Sequence, residues 1–275
     1  MYFKANVACR ELRSWATTAL LILSACTAIS PPQVDGIRCA SDVRASAQST
    51  TLIAFAGWKV TADDAWHWGQ ALATVGFATA PPALRCAARG PQDASYQKKD
   101  IDTGALAEAL IAHPPAGDIT VVAHSSGSFV AQHFFRQLRD KGGASLLAHI
   151  HYVNLDGAIG EGERSINADV IAALASVRAV YAIDLHTGSE SANASSMRRL
   201  HALVPEKVKL IALPVPDAGC NRGAKWCLHN ALINRKPYNP ARFDLKRDYG
   251  EINAAHPVEA SYLRANSRRR GCKRR

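Results

Sequence analysis

The sequence predicts an α/β protein, a mostly parallel sheet with helices on both faces. Three observations carry that expectation. Apolar runs of strand length alternate with helix-like segments along most of the chain, the rhythm of βαβ units with right-handed crossovers. One run, Ile119-Thr120-Val121-Val122-Ala123, is apolar and β-branched, as suits a strand covered on both faces. The composition, 48% hydrophobic and 20% charged over 275 residues, is that of a globular chain. It excludes disorder, collagen-like repeats and a disulfide-dense miniprotein.

The chain opens with Lys4, Arg10 and Arg13 ahead of an apolar run from Trp15 to Leu23, followed by Ser24-Ala25-Cys26. Basic residues, a short apolar segment and small residues describe a secretory signal. The run falls short of the roughly 20 residues a bilayer span requires. Cysteine directly after Leu-Ser-Ala resembles the lipobox of bacterial lipoproteins. That resemblance implies that Cys26 is the acylated first residue of a lipid-anchored protein in the periplasm or cell envelope. An ordinary signal peptide cut nearby is the other reading, and either one exports the chain. Residues 1–25 are therefore expected to be the signal, 26–48 a Ser-, Pro- and Ala-rich tether, 49–265 the folded domain and 266–275 a basic tail.

The net charge of +10 belongs to the two ends. Six of the last eight residues, Arg268 to Arg275, are Arg or Lys, and the signal region adds Lys4, Arg10 and Arg13 against Glu11. The body between is close to neutral, and no aromatics interleave with the tail, so nucleic acid is not an expected partner. Export alters the reading of the cysteines, because disulfides persist in oxidising compartments. Cys220 and Cys227 close a short loop and are the first expected pair. Cys39 with Cys86 is the second, leaving Cys272 in the tail. Metal binding by Cys220 and Cys227 is the alternative, but no second Cys or His pair stands at ligand spacing.

In chain order, Thr51–Phe55 reads as a strand ending in Ala56-Gly57-Trp58. Thr61-Ala62-Asp63-Asp64 starts a helix carrying Trp66, Leu72 and Val75. Phe77–Ala80 is a short run stopped by Pro81-Pro82. Gly104–Ala112 is helical up to Pro114-Pro115. After the strand at Ile119–Ala123 comes a helix over Ser128–Lys141, apolar at Phe129, Val130, Phe134 and Leu138 and stopped by Gly142-Gly143. Ile150–Leu155, Val177–Ile183 and Val208–Leu213 are strands, with helices around Ile166–Ala175 and Ser195–Leu203. No internal repeat is visible, and no Gly-rich phosphate loop follows a strand.

Between the central strand and its helix stands Ala123-His124-Ser125-Ser126-Gly127. This fits the strand–turn–helix setting of a nucleophile elbow, G-x-S-x-G, with Ala in place of the first Gly. The serine occupies a tight turn, so the residues two before and two after it must be small for strand and helix to approach. A serine at such a junction also reads as a helix N-cap. The agreement of strand, helix and small residues selects Ser125 as a nucleophile, with the Ser126 N–H as an oxyanion donor.

On these residues the chain resembles the α/β-hydrolase superfamily, specifically its serine esterases and lipases, over about residues 50 to 235. The resemblance implies a second oxyanion donor from the loop after the early strand. Ala56-Gly57-Trp58 stands there, resembling the family's His-Gly-x with Ala for His, so Trp58 supplies that N–H; a core role for its ring is the bland alternative. It also implies the order nucleophile, acid, histidine. His229 is best placed as the base, after the strand Val208–Leu213 and the Cys220–Cys227 loop. His201 lies within a helix pattern, His256 lies late beside Pro257, and His124 flanks the nucleophile without a triad role. For the acid, Asp184 follows the strand Val177–Ile183. Asp156 ends the preceding strand in a placement that resembles pancreatic-type lipases. Asp184 is favoured narrowly; Glu190 and Asp217 are outsiders.

The expected activity is hydrolysis of a small-molecule or lipid carboxylic ester, with no metal or cofactor required. Only about twenty residues separate Asp156 from the next strand, which leaves little room for a large cap domain. The segment Ser189–Met197 is read as a pocket-lining loop or as a loop before a helix cap. Acyl transfer to an alcohol on the same fold, and a non-catalytic envelope-binding lipoprotein, are the alternatives. The oligomeric state is not legible.

Overall fold

The computed structural model describes residues 32, 34–41, 50–76, 82–92, 101–157, 168–186 and 192–214. Their centre is a seven-stranded sheet: β1 Ile37–Ser41, β2 Thr51–Phe55, β3 Leu84–Ala88, β4 Ile119–His124, β5 Ile150–Leu155, β6 Ala179–His186 and β7 Val208–Pro214. The spatial order is β1-β3-β2-β4-β5-β6-β7. Every neighbouring pair is parallel except the edge pair β1–β3. The helices are α1 Ala62–Gly76, α2 Thr103–Ala112, α3 Gly127–Asp140, α4 Ala144–Leu147, α5 Ala168–Ser176 and α6 Ala192–Leu203. The expected fold class is the observed one.

Local chemistry accounts for where the helices begin. The Thr61 hydroxyl accepts the Asp64 N–H at 3.2 Å, and Asp63 and Asp64 favour the positive end of the α1 dipole. Asp102 caps α2 by accepting the Ala105 N–H at 2.9 Å. The strands β2 and β4 are buried at every position, which is why their sequences are continuous apolar runs rather than alternating ones.

The direction of each crossover decides which face its helix covers. The chain steps from β2 one way to β3, and from β4 the other way to β5. Right-handed crossovers in opposite directions place their helices on opposite faces. Accordingly α1 lies over the Ala54 and Ala87 side, where a Cβ added at Gly69 would meet the Ala87 Cβ at 3.1 Å. On the other face α3 seats Phe134 and Phe135 in a row of rings running from Phe55 to Tyr152, with centroids 5.0–5.8 Å apart. Edge-on and tilted pairs of this kind add to the area they bury.

Two strands depart from the sequence expectation. β1 falls inside the segment expected to be a tether, residues 26–48, and β3 follows Pro82 in a stretch where no strand was expected. Neither carries an apolar run: β1 is Ile-Arg-Cys-Ala-Ser with one buried side chain, and β3 is Leu-Arg-Cys-Ala-Ala. β3 is nonetheless buried at four of its five positions because it lies between β1 and β2, and cross-links attach the edge strand β1. Cys39 and Cys86 stand opposite each other in the ladder and form a disulfide, the second of the two expected pairs. Arg38 of β1 and Arg85 of β3 each place a guanidinium 4.4 Å from the Trp66 ring of α1. The run Phe77–Ala80 lies outside the described residues.

Candidate active site

The loops after β2 and β4 leave neighbouring strands in opposite directions, so a crevice opens between them at the carboxyl edge of the sheet. In open α/β sheets this switch point is where ligands bind. Ser125 stands there.

Strand β4 ends at His124 and α3 begins at Gly127, so only two residues make the turn. Ser125 takes φ 54°, a left-handed conformation that costs a non-glycine residue roughly 1 kcal/mol or more. Its surroundings hold it there. The Ser125 N–H donates to the Leu155 carbonyl at 3.1 Å, and its own carbonyl accepts the Ser128 N–H at 3.0 Å. The residue stays partly exposed while its neighbours His124 and Ser126 are buried. Ser126 is helical, φ −62° and ψ −16°, and its side chain makes no capping hydrogen bond, so the turn is not a serine-capped helix start. Standing before the first turn of α3, Ser126 carries an N–H that helix geometry leaves without an intrahelical acceptor.

Two glycines show why small residues surround the turn. A Cβ on Gly127 would strike the carbonyls of Phe55 and Ala56, so α3 reaches the end of β2 only because that position is bare. A Cβ on Gly57 would lie 3.2 Å from the Ser125 Cβ and 2.8 Å from His124 Nδ1. The loop after β2 is therefore pressed onto Ser125. This loop is a tight turn: the Val60 N–H donates to the Gly57 carbonyl at 3.1 Å, and Lys59 takes φ 56°. Trp58 lies at its tip, 36% exposed, with Lys59 Nζ 4.6 Å from its ring centre. Its side chain is thus not a core residue.

Asp156 follows β5 directly and has φ 45°, the third non-glycine residue in the left-handed region. A buried network fixes this turn. Asn154 accepts the Gly157 N–H at 2.8 Å and donates to the Tyr152 hydroxyl at 3.1 Å. Gln132 of α3 also hydrogen-bonds that hydroxyl, and burial pushes the phenol's pKa well up, so Tyr152 is a neutral hydrogen-bonding post. Asp184 is placed differently from expectation. β6 continues to His186, so Asp184 does not follow the strand but lies within it, registered with Ala212 of β7.

His229, Cys220, Cys227, Cys26, Glu190 and Asp217 lie outside the described residues, as do residues 187–191 before α6. His201 lies in α6 with Nδ1 2.8 Å from the Val208 carbonyl, a structural contact. Among the described residues, no three His, Cys, Asp or Glu side chains gather as a metal site. Sequence reading missed the Gln132–Tyr152–Asn154 network and the Gly90-Pro91 segment that meets the Gly57 loop. The only advance signal was the Gly-Pro pair itself, a turn mark without a function.

No family model matches the chain, and no curated protein is similar to it in sequence. Among solved structures, a thermostable esterase of Pseudomonas putida ECU1011 is 10% identical, with 97% of this chain and 91% of that one covered at a TM-score of 0.48. Esterase B of Lactobacillus rhamnosis, solved with a tributyrin phosphonate inhibitor, is 11% identical over 91% of this chain and 94% of that one, TM-score 0.46. A carboxylesterase of Nitrososphaera gargenis is 12% identical over 82% and 96%, TM-score 0.48. The fold assignment rests on this chain's own features. The mostly parallel sheet, its switch point and the strained serine between strand and helix form the strand–turn–helix setting that a nucleophile elbow requires.

Proposed function

We propose that this protein is an exported serine hydrolase that cleaves carboxylic esters through an acyl-enzyme. One observation carries the reading: Ser125 is held at φ 54° between β4 and α3, partly exposed at the switch point, with the Gly57 loop against it. A strained serine in that setting exposes its hydroxyl to a substrate and points the following N–H toward the same place.

In the proposed reaction His229 takes the Ser125 proton as Oγ attacks the ester carbonyl. The carbonyl oxygen becomes an oxyanion held by the N–H groups of Trp58 and Ser126. Collapse breaks the bond to the alkoxy oxygen, which leaves as the alcohol with the proton from His229. Water, deprotonated by the same histidine, then attacks the acyl-enzyme and releases the acid. An aspartate orients His229. Asp156 is favoured over Asp184 here, because its strained turn is fixed from below by Asn154 at the strand next to the nucleophile. The substrate is a small-molecule or lipid ester, and a lipid on Cys26 tethers the enzyme to the envelope.

Labelling by a fluorophosphonate probe tests the reading. The wild type is expected to label and to hydrolyse short p-nitrophenyl esters, and the Ser125→Ala variant to do neither. A folded wild type that does not label would sink it.

A further inference from the structure

The loop that carries the proposed oxyanion donor does not stand alone. It is braced by residues 89–92, the segment that follows β3. The Lys59 N–H donates to the Pro91 carbonyl at 2.9 Å, and the Gly90 N–H donates to the Val60 carbonyl at 2.9 Å. These bonds grip the Gly57–Val60 turn from both of its last residues. Gly90 also packs flat on the turn: a Cβ there would fall on the Gly57 carbonyl and lie 3.0 Å from the Val60 nitrogen. Its φ is not in the left-handed region, so space and not backbone freedom demands glycine.

Gln92 completes the brace. Its Nε2 donates to the Gly90 carbonyl at 2.6 Å and lies 3.5 Å from the Val60 carbonyl. Two carbonyls facing one amide require its NH2 end, so the orientation follows from chemistry. Gln92 is exposed, which is not where a residue serving only the core is found. The base of the segment is anchored in turn, the Arg89 N–H donating to the Gly36 carbonyl at 3.0 Å.

We infer that Gly90 and Gln92 are positioning residues for the oxyanion hole, holding the Gly57–Val60 turn so that the Trp58 N–H meets charge that develops only in the transition state. The inference rests on the serine-hydrolase reading above. Preorganised donors contribute because they need not be ordered during reaction, and misplacement by about 1 Å can cost 10²-fold in rate. The turn itself is strained at Lys59 and would relax without external support. Loosening the brace should therefore lower kcat rather than raise KM.

The test is steady-state hydrolysis of a soluble ester by wild type, Gly90→Ala, Gln92→Glu and Ser125→Ala. Thermal unfolding of each is measured, with inhibition by a trifluoromethyl ketone whose serine adduct carries an oxyanion. Gln92→Glu keeps the size of the side chain and replaces the donor by an acceptor facing two carbonyls. It is expected to keep the wild-type unfolding temperature, lose about tenfold in kcat at little-changed KM, and lose inhibitor affinity by a similar factor. Gly90→Ala should lose about 10²-fold, and if it fails to fold, Gln92→Glu decides. Wild-type kcat and inhibitor affinity in folded Gln92→Glu, or a rise in KM alone, would overturn the inference while leaving Ser125 as the nucleophile. A folded wild type that hydrolyses no ester, or a Ser125→Ala variant that still does, would overturn the underlying reading and this inference with it.

Discussion

Lys59, Ser125 and Asp156 share an unfavourable backbone conformation, and all three come just after parallel strands β2, β4 and β5. Strain of this kind persists only where the surroundings over-determine it, and it clusters where a function needs the geometry. At the opposite, amino end of the sheet, single residues serve stability instead. His151 is mostly buried, with Nε2 3.4 Å from Asp118, which Arg178 also meets at 3.1 Å. Burial lowers the His151 pKa and outweighs the pull of the Asp118 carboxylate in the other direction; Arg178 and Lys209 add to the lowering. The unfolded chain, with a histidine pKa of about 6.5, then takes up the proton first. The stabilisation is complete above that value and declines as pH falls from it through the lowered native pKa. Urea unfolding between pH 8 and pH 5 should show a smaller loss of stability for His151→Phe than for wild type. Equal pH slopes would contradict the assignment.

Among the elements, the edge strand β1 illustrates attachment without an apolar run. Its disulfide closes a loop of 47 residues around β2 and α1. In the chain-entropy model a loop of that size stabilises by about 4 kcal/mol. The variant Cys39→Ser/Cys86→Ser is expected to lose stability of this order in denaturant unfolding. A loss below about 1 kcal/mol would mean that the Trp66 stack and the ladder hold β1 by themselves. The helix α3 shows the opposite case. Its aromatic row Phe134–Phe135 against Phe55 and Tyr152 locks the helix to the sheet, and Gly127 lets its first turn touch β2. Core packing thereby fixes where Ser125 stands.

For the whole molecule, sheet order decides which residues can cooperate. His124, Leu155, Ile183 and Ile211 lie level across β4 to β7, so Ser125, Asp156 and Asp184 are each one step beyond the same level. The two aspartates differ by one strand in their distance from Ser125. If Asp156 orients the base, Asp156→Asn should lower kcat by about 10⁴-fold, the loss seen when a triad histidine loses its acid, whereas Asp184→Asn should have little effect. The reverse pattern would return the role to Asp184. Ester hydrolysis by both variants, with thermal unfolding to confirm folding, reads the difference directly.

The sequence by itself determined the fold class and nearly every parallel strand, and it singled out Ser125 as the proposed nucleophile. Each of these depends on short-range pattern: Ile119–Ala123 must be apolar to be buried on both faces, and Gly127 must be bare for a helix to start against a strand. It also placed Cys39 with Cys86 as a possible pair. Tertiary structure alone decided the rest. β1 and β3 carry no periodic signal: a disulfide and the Arg38 stack on Trp66 hold β1 to residues far away in the chain, and β3 is buried because it lies between β1 and β2. The extension of β6 past Asp184 depends on pairing with β7, which no local pattern in Ala179–His186 announces. The brace of Gly90 and Gln92 on the Gly57 turn joins segments separated by a helix and a strand. Contacts of that kind arise from which strands the sheet makes neighbours, and sequence spacing does not encode them.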